Sequence, residues 1–409
     1  MRLKRIFVTL CLVSFIGQLF AQERIQIKYG PYLQSTKETE TTIVWVANKP
    51  SVGWVELAPD DGTHFLQVPR ERFYDTKNGI KNTASVHSVR LTGLKPGTSY
   101  RYRICVQEVL SHKGTEVIYG KIDGTDMWSR EPYRFTTNDR RKPATSFVML
   151  NDIHGRTADI PRLLDAAKFR ETDFVIFNGD MVSHSSTEEQ LFNSFMNKAV
   201  ELFASEKNMY YARGNHETRS TFATFFQNYF SVKEPHLYFT MRQGPVFFIF
   251  LDTGEDKPDT DIDYCGITDY DNYRTEQAQW LEAVVASEEF KQAPYKVVVG
   301  HMPPVPWEGT MWHGPWEILQ KFVPVLNKAG IDLMLCGHYH VDKPGFYYYQ
   351  PTEQMEFPVL VNESVTVLRG DADAENLTVE IKDSTGKSLF SNRFLAGCNN
   401  KKTFICRLS

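Results

Sequence analysis

Phe147-Val148-Met149-Leu150-Asn151-Asp152-Ile153-His154-Gly155 runs from an uncharged apolar tetrad straight into a carboxylate and an imidazole two residues apart. The apolar half does not alternate with polar residues, which suits a strand buried on both faces better than an amphipathic helix. The polar half offers two metal-ligand residue types at that strand's C-terminal end. The arrangement recurs: 174–177 precedes Asn178-Gly179-Asp180, 209–212 precedes Gly214-Asn215-His216-Glu217, 297–299 precedes Gly300-His301, and 333–336 precedes Gly337-His338-Tyr339-His340. In an open sheet such strand ends gather along one edge, where ligands bind. An α/β domain with one crevice is therefore expected. A further run, 246–251, ends in Asp252-Thr253 and reads as a sheet strand with a structural ending.

Any one of these motifs arises by chance, and a lone buried histidine is most often a hydrogen-bonded core residue. Five of the eleven histidines fall in motifs of this order, however, so one dinuclear site is a better account than five separate causes.

Read in order, the motifs resemble those of the calcineurin-like metallophosphoesterase superfamily: Asp-x-His, Gly-Asp, Gly-Asn-His-(Glu/Asp), Gly-His and Gly-His-x-His. The match covers about residues 147–370. The resemblance implies a two-sheet sandwich flanked by helices. It also implies one metal held by Asp152, His154 and His340, a second held by Asn215, His301 and His338, and Asp180 bridging them. A carboxylate suits the bridge because it offers one oxygen to each ion, while neutral imidazoles and an amide bind without cancelling charge. Two divalent ions with Asp152, Asp180 and a bridging hydroxide leave a net positive site that attracts phosphate, activates water and polarises the ester. By the same resemblance His216 contacts the phosphate and assists the leaving oxygen as a general acid. Manganese, iron and zinc all accept such mixed ligands.

In the purple acid phosphatases, a branch of this superfamily, a tyrosine stands three residues past the bridging aspartate and its phenolate colours a ferric ion. Here that residue is Ser183, so a colourless enzyme is expected. The preceding region nevertheless resembles that branch. Residues 24–137 alternate in segments such as Thr41-Thr42-Ile43-Val44-Trp45-Val46 and Tyr100-Arg101-Tyr102-Arg103-Ile104, the pattern of an all-β sandwich. Leu91-Thr92-Gly93-Leu94-Lys95-Pro96-Gly97-Thr98-Ser99-Tyr100 is similar to a turn of fibronectin type III domains, and Gly30-Pro31-Tyr32-Leu33-Gln34 to the opening of the sandwich in purple acid phosphatases. A structural spacer is favoured over a module that binds carbohydrate or a partner. Asn138-Asp139-Arg140-Arg141-Lys142-Pro143 reads as a linker. The catalytic domain is expected over 147–395, closing with a hairpin around 383–387, and a basic tail over 396–409.

Residues 1–21 have the form of a secretory signal peptide: Arg2, Lys4 and Arg5 precede an apolar stretch at 6–17 that is too short to span a membrane, and Ala21 suits cleavage. A periplasmic or secreted protein with no membrane span is expected; after secretion in a eukaryote, Asn362 and Asn376 would lie in glycosylation sequons. The formal net charge of −4 becomes −7 once the three basic residues of the signal are lost, which argues against a nucleic acid polymer as partner. Oligomeric state is left open. Cys105, Cys265, Cys336, Cys398 and Cys406 are an odd number, so at least one thiol is unpaired within the chain; Cys398 with Cys406 could close a small loop.

Arg213 and His184 are candidates for reaching a substrate phosphate. The loop 303–316, with Trp307, Trp312, His313 and Trp316, could stack on a substrate ring or pack on a helix. The insert 254–274 carries seven acidic residues; it is read as a solvated loop with no standard calcium spacing, and beside the site it would favour small substrates. The expected function is hydrolysis of small phosphomonoesters. A phosphodiesterase on cyclic nucleotides or other small diesters is the first alternative, and a secreted binding protein with an inactive catalytic domain the second.

Overall fold

The computed structural model describes residues 23–184, 186–230, 236–339 and 345–396. The signal segment, His340, Cys398, Cys406 and nearly all of the expected tail lie outside these residues.

Strands Ile27–Gln34, Glu40–Ala47 and Val86–Thr92 form one antiparallel sheet. A second contains Tyr133–Thr136, Ser99–Lys113, Ser51–Pro59 and Glu71–Tyr74, with Glu116–Gly124 also paired to Ser99–Lys113. The period-two pattern explains the pairing of faces: along Val86–Thr92, Val89 and Leu91 are buried while Arg90 and Thr92 are exposed. Leu33, Ile43, Trp45 and Leu91 of the first sheet meet Val55, Tyr102 and Ile104 of the second, as expected for a sandwich. At Gly53 the packing leaves no room for a side chain, since a Cβ would lie 2.6–2.7 Å from the His87 and Trp45 rings.

The remaining chain forms two six-stranded sheets. One runs Asn208–Ala212, Phe174–Asn178, Thr145–Leu150, Thr366–Ala372, Asn376–Asp383, Ser388–Leu395; the other Phe239–Gln243, Val246–Phe250, Tyr295–Val299, Leu333–Cys336, Val359–Asn362, Phe346–Tyr349. Phe147, Met149 and Ile176 point between the sheets toward Phe248, Val297 and Leu335. Their neighbours Val148, Leu150, Val175 and Phe177 point outward against the helix Asp159–Ala166 and the helical segment 188–204. The second sheet is covered by Tyr270–Ala286, His313–Lys321 and Val323–Ala329. Burial on both faces is why these strands read as unbroken apolar runs. Parallel pairing of Leu150 with Phe177, Phe177 with Tyr211, and Val299 with Leu335 brings the motif-bearing ends to one edge.

Asn362 is a correction. It is fully buried and its Nδ2 donates to Asn151 Oδ1 at 2.7 Å, so no glycan can reach it. The expected linker also begins differently: Asn138 is 2% exposed and belongs to a polar seam between sandwich and sheets. Its Nδ2 donates to Thr36 O and to Tyr210 Oη, and Tyr210 Oη donates to Thr36 O at 2.8 Å. Nearby, Tyr102 Oη donates to Ser205 O, Ser205 Oγ to Pro31 O, and Tyr29 stacks on Phe192 at 4.0 Å. Asn138→Ala strips buried acceptors of their donor and is expected to cost about 1–3 kcal/mol in denaturant unfolding. The largely exposed Arg141→Ala should change stability by less than ~0.5 kcal/mol.

Candidate metal centre

The strand ends turn sharply. Asp152, His154, Asp180 and His338 have φ of 49–72°, four of the ten non-glycine residues with positive φ among the described residues. Left-handed backbone is unfavourable for such side chains and is tolerated where surrounding structure holds it. At Asp180 that holding comes from Glu217. Its buried carboxylate accepts from the backbone N–H of Asp180, Met181 and Gly214, at 2.8–3.0 Å, and from Tyr211 Oη at 2.7 Å. Gly214 can have no side chain here, because a Cβ would collide with Asp180 and Glu217.

Each aspartate divides its two oxygens between backbone and cluster. Asp180 Oδ1 accepts the His216 N–H at 2.9 Å, while Oδ2 lies 3.2 Å from His301 Nε2, 3.8 Å from His216 Nε2 and 3.9 Å from His154 Nε2. Asp152 Oδ2 accepts from the His338 N–H and from Asn151 Nδ2, while Oδ1 faces His154 and His301 at 3.8 and 3.9 Å. His301 Nδ1 donates to Asn178 O at 2.8 Å, leaving Nε2 toward the carboxylates. The Asn215 carboxamide has one end 3.1 Å from His338 Nδ1 and 3.2 Å from Asp180 Oδ2, and the other 2.8 Å from Arg219 Nη2. Turned nitrogen-inward it hydrogen-bonds Asp180; turned oxygen-inward it would offer an oxygen to a bound ion.

Burial disfavours charge on His301, yet Asp180 and Asp152 carry its pKa up to about 10. Burial likewise opposes charge on both aspartates, and His301 nonetheless holds each below the ordinary carboxylate range. Glu217 is pushed up by burial and by Asp180. These residues fit a metal. Asp152 Oδ1 is buried with no hydrogen-bond donor among the described residues, and imidazole nitrogens converge on the same space. Two groups of potential ligands, His154 with Asp180 and His216, and Asp180 with His301 and His338, share Asp180. Mixed nitrogen and oxygen donors suit manganese, iron or zinc.

Asp152, His154, Asp180, Asn215, His301 and His338 thus meet at one place; His340 lies outside the described residues. His216 stands at the rim, its Nδ1 donating to Ser183 O at 2.9 Å and its Nε2 3.2 Å from Arg219 Nη1. Ser183 Oγ donates to His154 O. Arg213 is engaged elsewhere. It is buried in a two-pronged pair with Asp252, 2.8 and 3.3 Å, because an isolated guanidinium there would lack compensation. His184 is exposed on the loop beyond Ser183.

The acidic insert is more than a solvated loop. Glu255 is buried and paired with Arg219 at 3.0 and 3.1 Å, and Asp259 accepts the N–H groups of Tyr270 and Asp271 at a helix start. Sequence reading gave no role to Glu217, Arg219 or Asn151. The signal for Asn151 was available, since Asn151, Asn178 and Asn362 each close an apolar run and bond across the strand ends. Nothing local in the sequence pairs Arg219 with Glu255.

Residues 145–342 match the family described as calcineurin-like phosphoesterase. The chain carries a calcineurin-like phosphoesterase domain. Ahead of it, residues 29–137 match the purple acid phosphatase N-terminal domain. The chain is 25% identical over 274 residues to purple acid phosphatase 21 of Arabidopsis thaliana, covering 63% of this chain and 53% of that one. It is 24% identical over 295 residues to purple acid phosphatase 22 of the same plant, covering 68% and 57%. The chain thus spans little more than half the length of these relatives. A purple acid phosphatase isolated from yellow lupin (Lupinus luteus) seeds shares the fold, with a TM-score of 0.64 and 16% identity over 89% of this chain and 74% of that one.

Glu217→Gln puts an amide N–H₂ against backbone donors. It is expected to weaken metal binding about 10–100-fold, as read by competition with a chelator, without unfolding the chain.

Proposed function

We propose that this phosphoesterase is an exported, dinuclear, metal-dependent phosphohydrolase acting on small phosphomonoesters. The observation that carries the reading is the sharing of Asp180 between two groups of potential ligands, one of which includes His216. Asn215, His301 and His338 would hold one ion, Asp152 and His154 with His340 the other, and Asp180 both. Bound ions would polarise the phosphoryl group and activate water.

The protein's own part is positioning and proton delivery. Because His216 Nδ1 donates to a carbonyl, Nε2 is the atom that gains a proton and passes it to the leaving oxygen. Burial lowers the His216 pKa despite the opposing pull of Asp180 and the hydrogen bond to Ser183 O, and Arg219 adds to the lowering. With Ser183 in place of a tyrosine, no phenolate is available three residues past Asp180, and the loaded protein should be colourless. Export rests on the form of residues 1–21; among the described residues no helix is long and apolar enough to cross a membrane.

The test is hydrolysis of a chromogenic phosphomonoester and the matching diester by the mature protein, stripped and reloaded with manganese, iron(II) or zinc. Faster monoester turnover is expected; faster diester turnover would move the assignment to a phosphodiesterase. His216→Ala should keep both metals by elemental analysis and lose about 10²–10⁴ in kcat, whereas Asp180→Ala should lose metal and activity together. Full turnover by the Asp180 variant would overturn the site.

A further inference from the structure

Arg219 stands where the rim of the candidate centre meets the acidic insert, and contacts on both sides fix it. Toward the insert its Nε lies 3.0 Å from Glu255 Oε1 and its Nη2 3.1 Å from Oε2, a two-pronged pair. Glu255 is only 1% exposed and is itself held: its carboxylate also accepts from Thr218 Oγ1 at 2.6 Å and Tyr264 Oη at 2.9 Å, and Arg274 donates to its backbone carbonyl. Toward the centre, Arg219 Nη1 lies 3.2 Å from His216 Nε2 and Nη2 lies 2.8 Å from the Asn215 carboxamide. The arginine side chain stays 35% exposed, so a small molecule can reach it.

The Asn215 amide cannot satisfy both of its neighbours. With oxygen outward it accepts from Arg219. With oxygen inward, the orientation that suits an ion, its N–H₂ meets Nη2 at 2.8 Å, donor against donor. Glu255 keeps the guanidinium from swinging away, so an acceptor lying between the two donors is what removes the conflict. A phosphoryl oxygen is such an acceptor.

We propose that Arg219 binds a non-bridging oxygen of the substrate's phosphoryl group, and that Glu255 is the residue that positions it. The inference rests on the phosphohydrolase reading above and names what selects monoesters there. A monoester has three non-bridging oxygens and a diester two. With two directed to the centre, only the monoester keeps one for the guanidinium. Because Glu255 offsets the charge of Arg219, the selectivity comes from the direction of the N–H groups rather than from long-range attraction.

The experiment measures calorimetric binding of orthophosphate to the metal-loaded protein, with metal content checked by elemental analysis, in wild type, Arg219→Ala, Glu255→Gln and the double variant. Arg219→Ala should keep its metals and lose about 10–100-fold in orthophosphate affinity, the worth of a hydrogen bond to a charged group. Glu255→Gln should lose about threefold to tenfold, and nothing further once Arg219 is already Ala, because the carboxylate acts only through the guanidinium. The double variant also leaves no unpaired buried carboxylate, so it decides the matter if the single alanine variant fails to fold. On the chromogenic esters, Arg219→Ala should lose kcat/KM on the monoester chiefly through KM and far less on the diester. Unchanged orthophosphate affinity would overturn the assignment, equal loss on both esters would overturn the selectivity, and additive losses in the double variant would overturn the role of Glu255. If wild type turned over no ester, the hydrolase reading would fail by itself, and orthophosphate affinity would still decide whether Arg219 binds phosphate.

Discussion

Three carboxylates, those of Asp152, Asp180 and Glu217, are buried within one pocket, and none could keep its charge there without compensation. The fold supplies it in two ways. Backbone N–H groups and a tyrosine hydroxyl surround Glu217, while Asp152 and Asp180 each take backbone support on one oxygen and turn the other toward imidazoles. That division requires strand ends from both sheets to meet at one edge, with backbone in the left-handed region at four of the site residues. The sandwiched sheets are the rigid frame that makes this geometry sustainable.

Much of this was legible in the sequence because the relevant constraints are local. A strand buried on both faces must be apolar throughout, and the polar residues that follow its end stand out against it, so 147–155 and its four counterparts could be read directly. The hairpin around 383–387 was legible for a similar reason: the Asp383 side chain accepts from the Thr385 and Lys387 N–H groups, and that is a property of a few adjacent residues.

What escaped was the long-range pairing of charge. Arg213 sits next to a ligand loop and looked like a phosphate contact, but Asp252, 39 residues away, holds it. Arg219 and Glu255 are separated by 36 residues and meet only after two different strands have turned back. Asn138 looked like part of a polar linker because its composition is polar; its burial follows from packing between two domains, which no window around it encodes. Glu217 was visible as the last residue of a motif, yet its work is on the Asp180 loop, reached through space.

The seam between the domains has another consequence. Asn208–Ala212 is the outermost strand of the first six-stranded sheet, and the sandwich lies along it, with Tyr210 and Asn208 bonded to Thr36, Thr136 and Asn138. An uncovered edge strand is an invitation to pair with another molecule. The N-terminal domain therefore does a second job: it covers the edge along which that sheet could otherwise pair with another molecule.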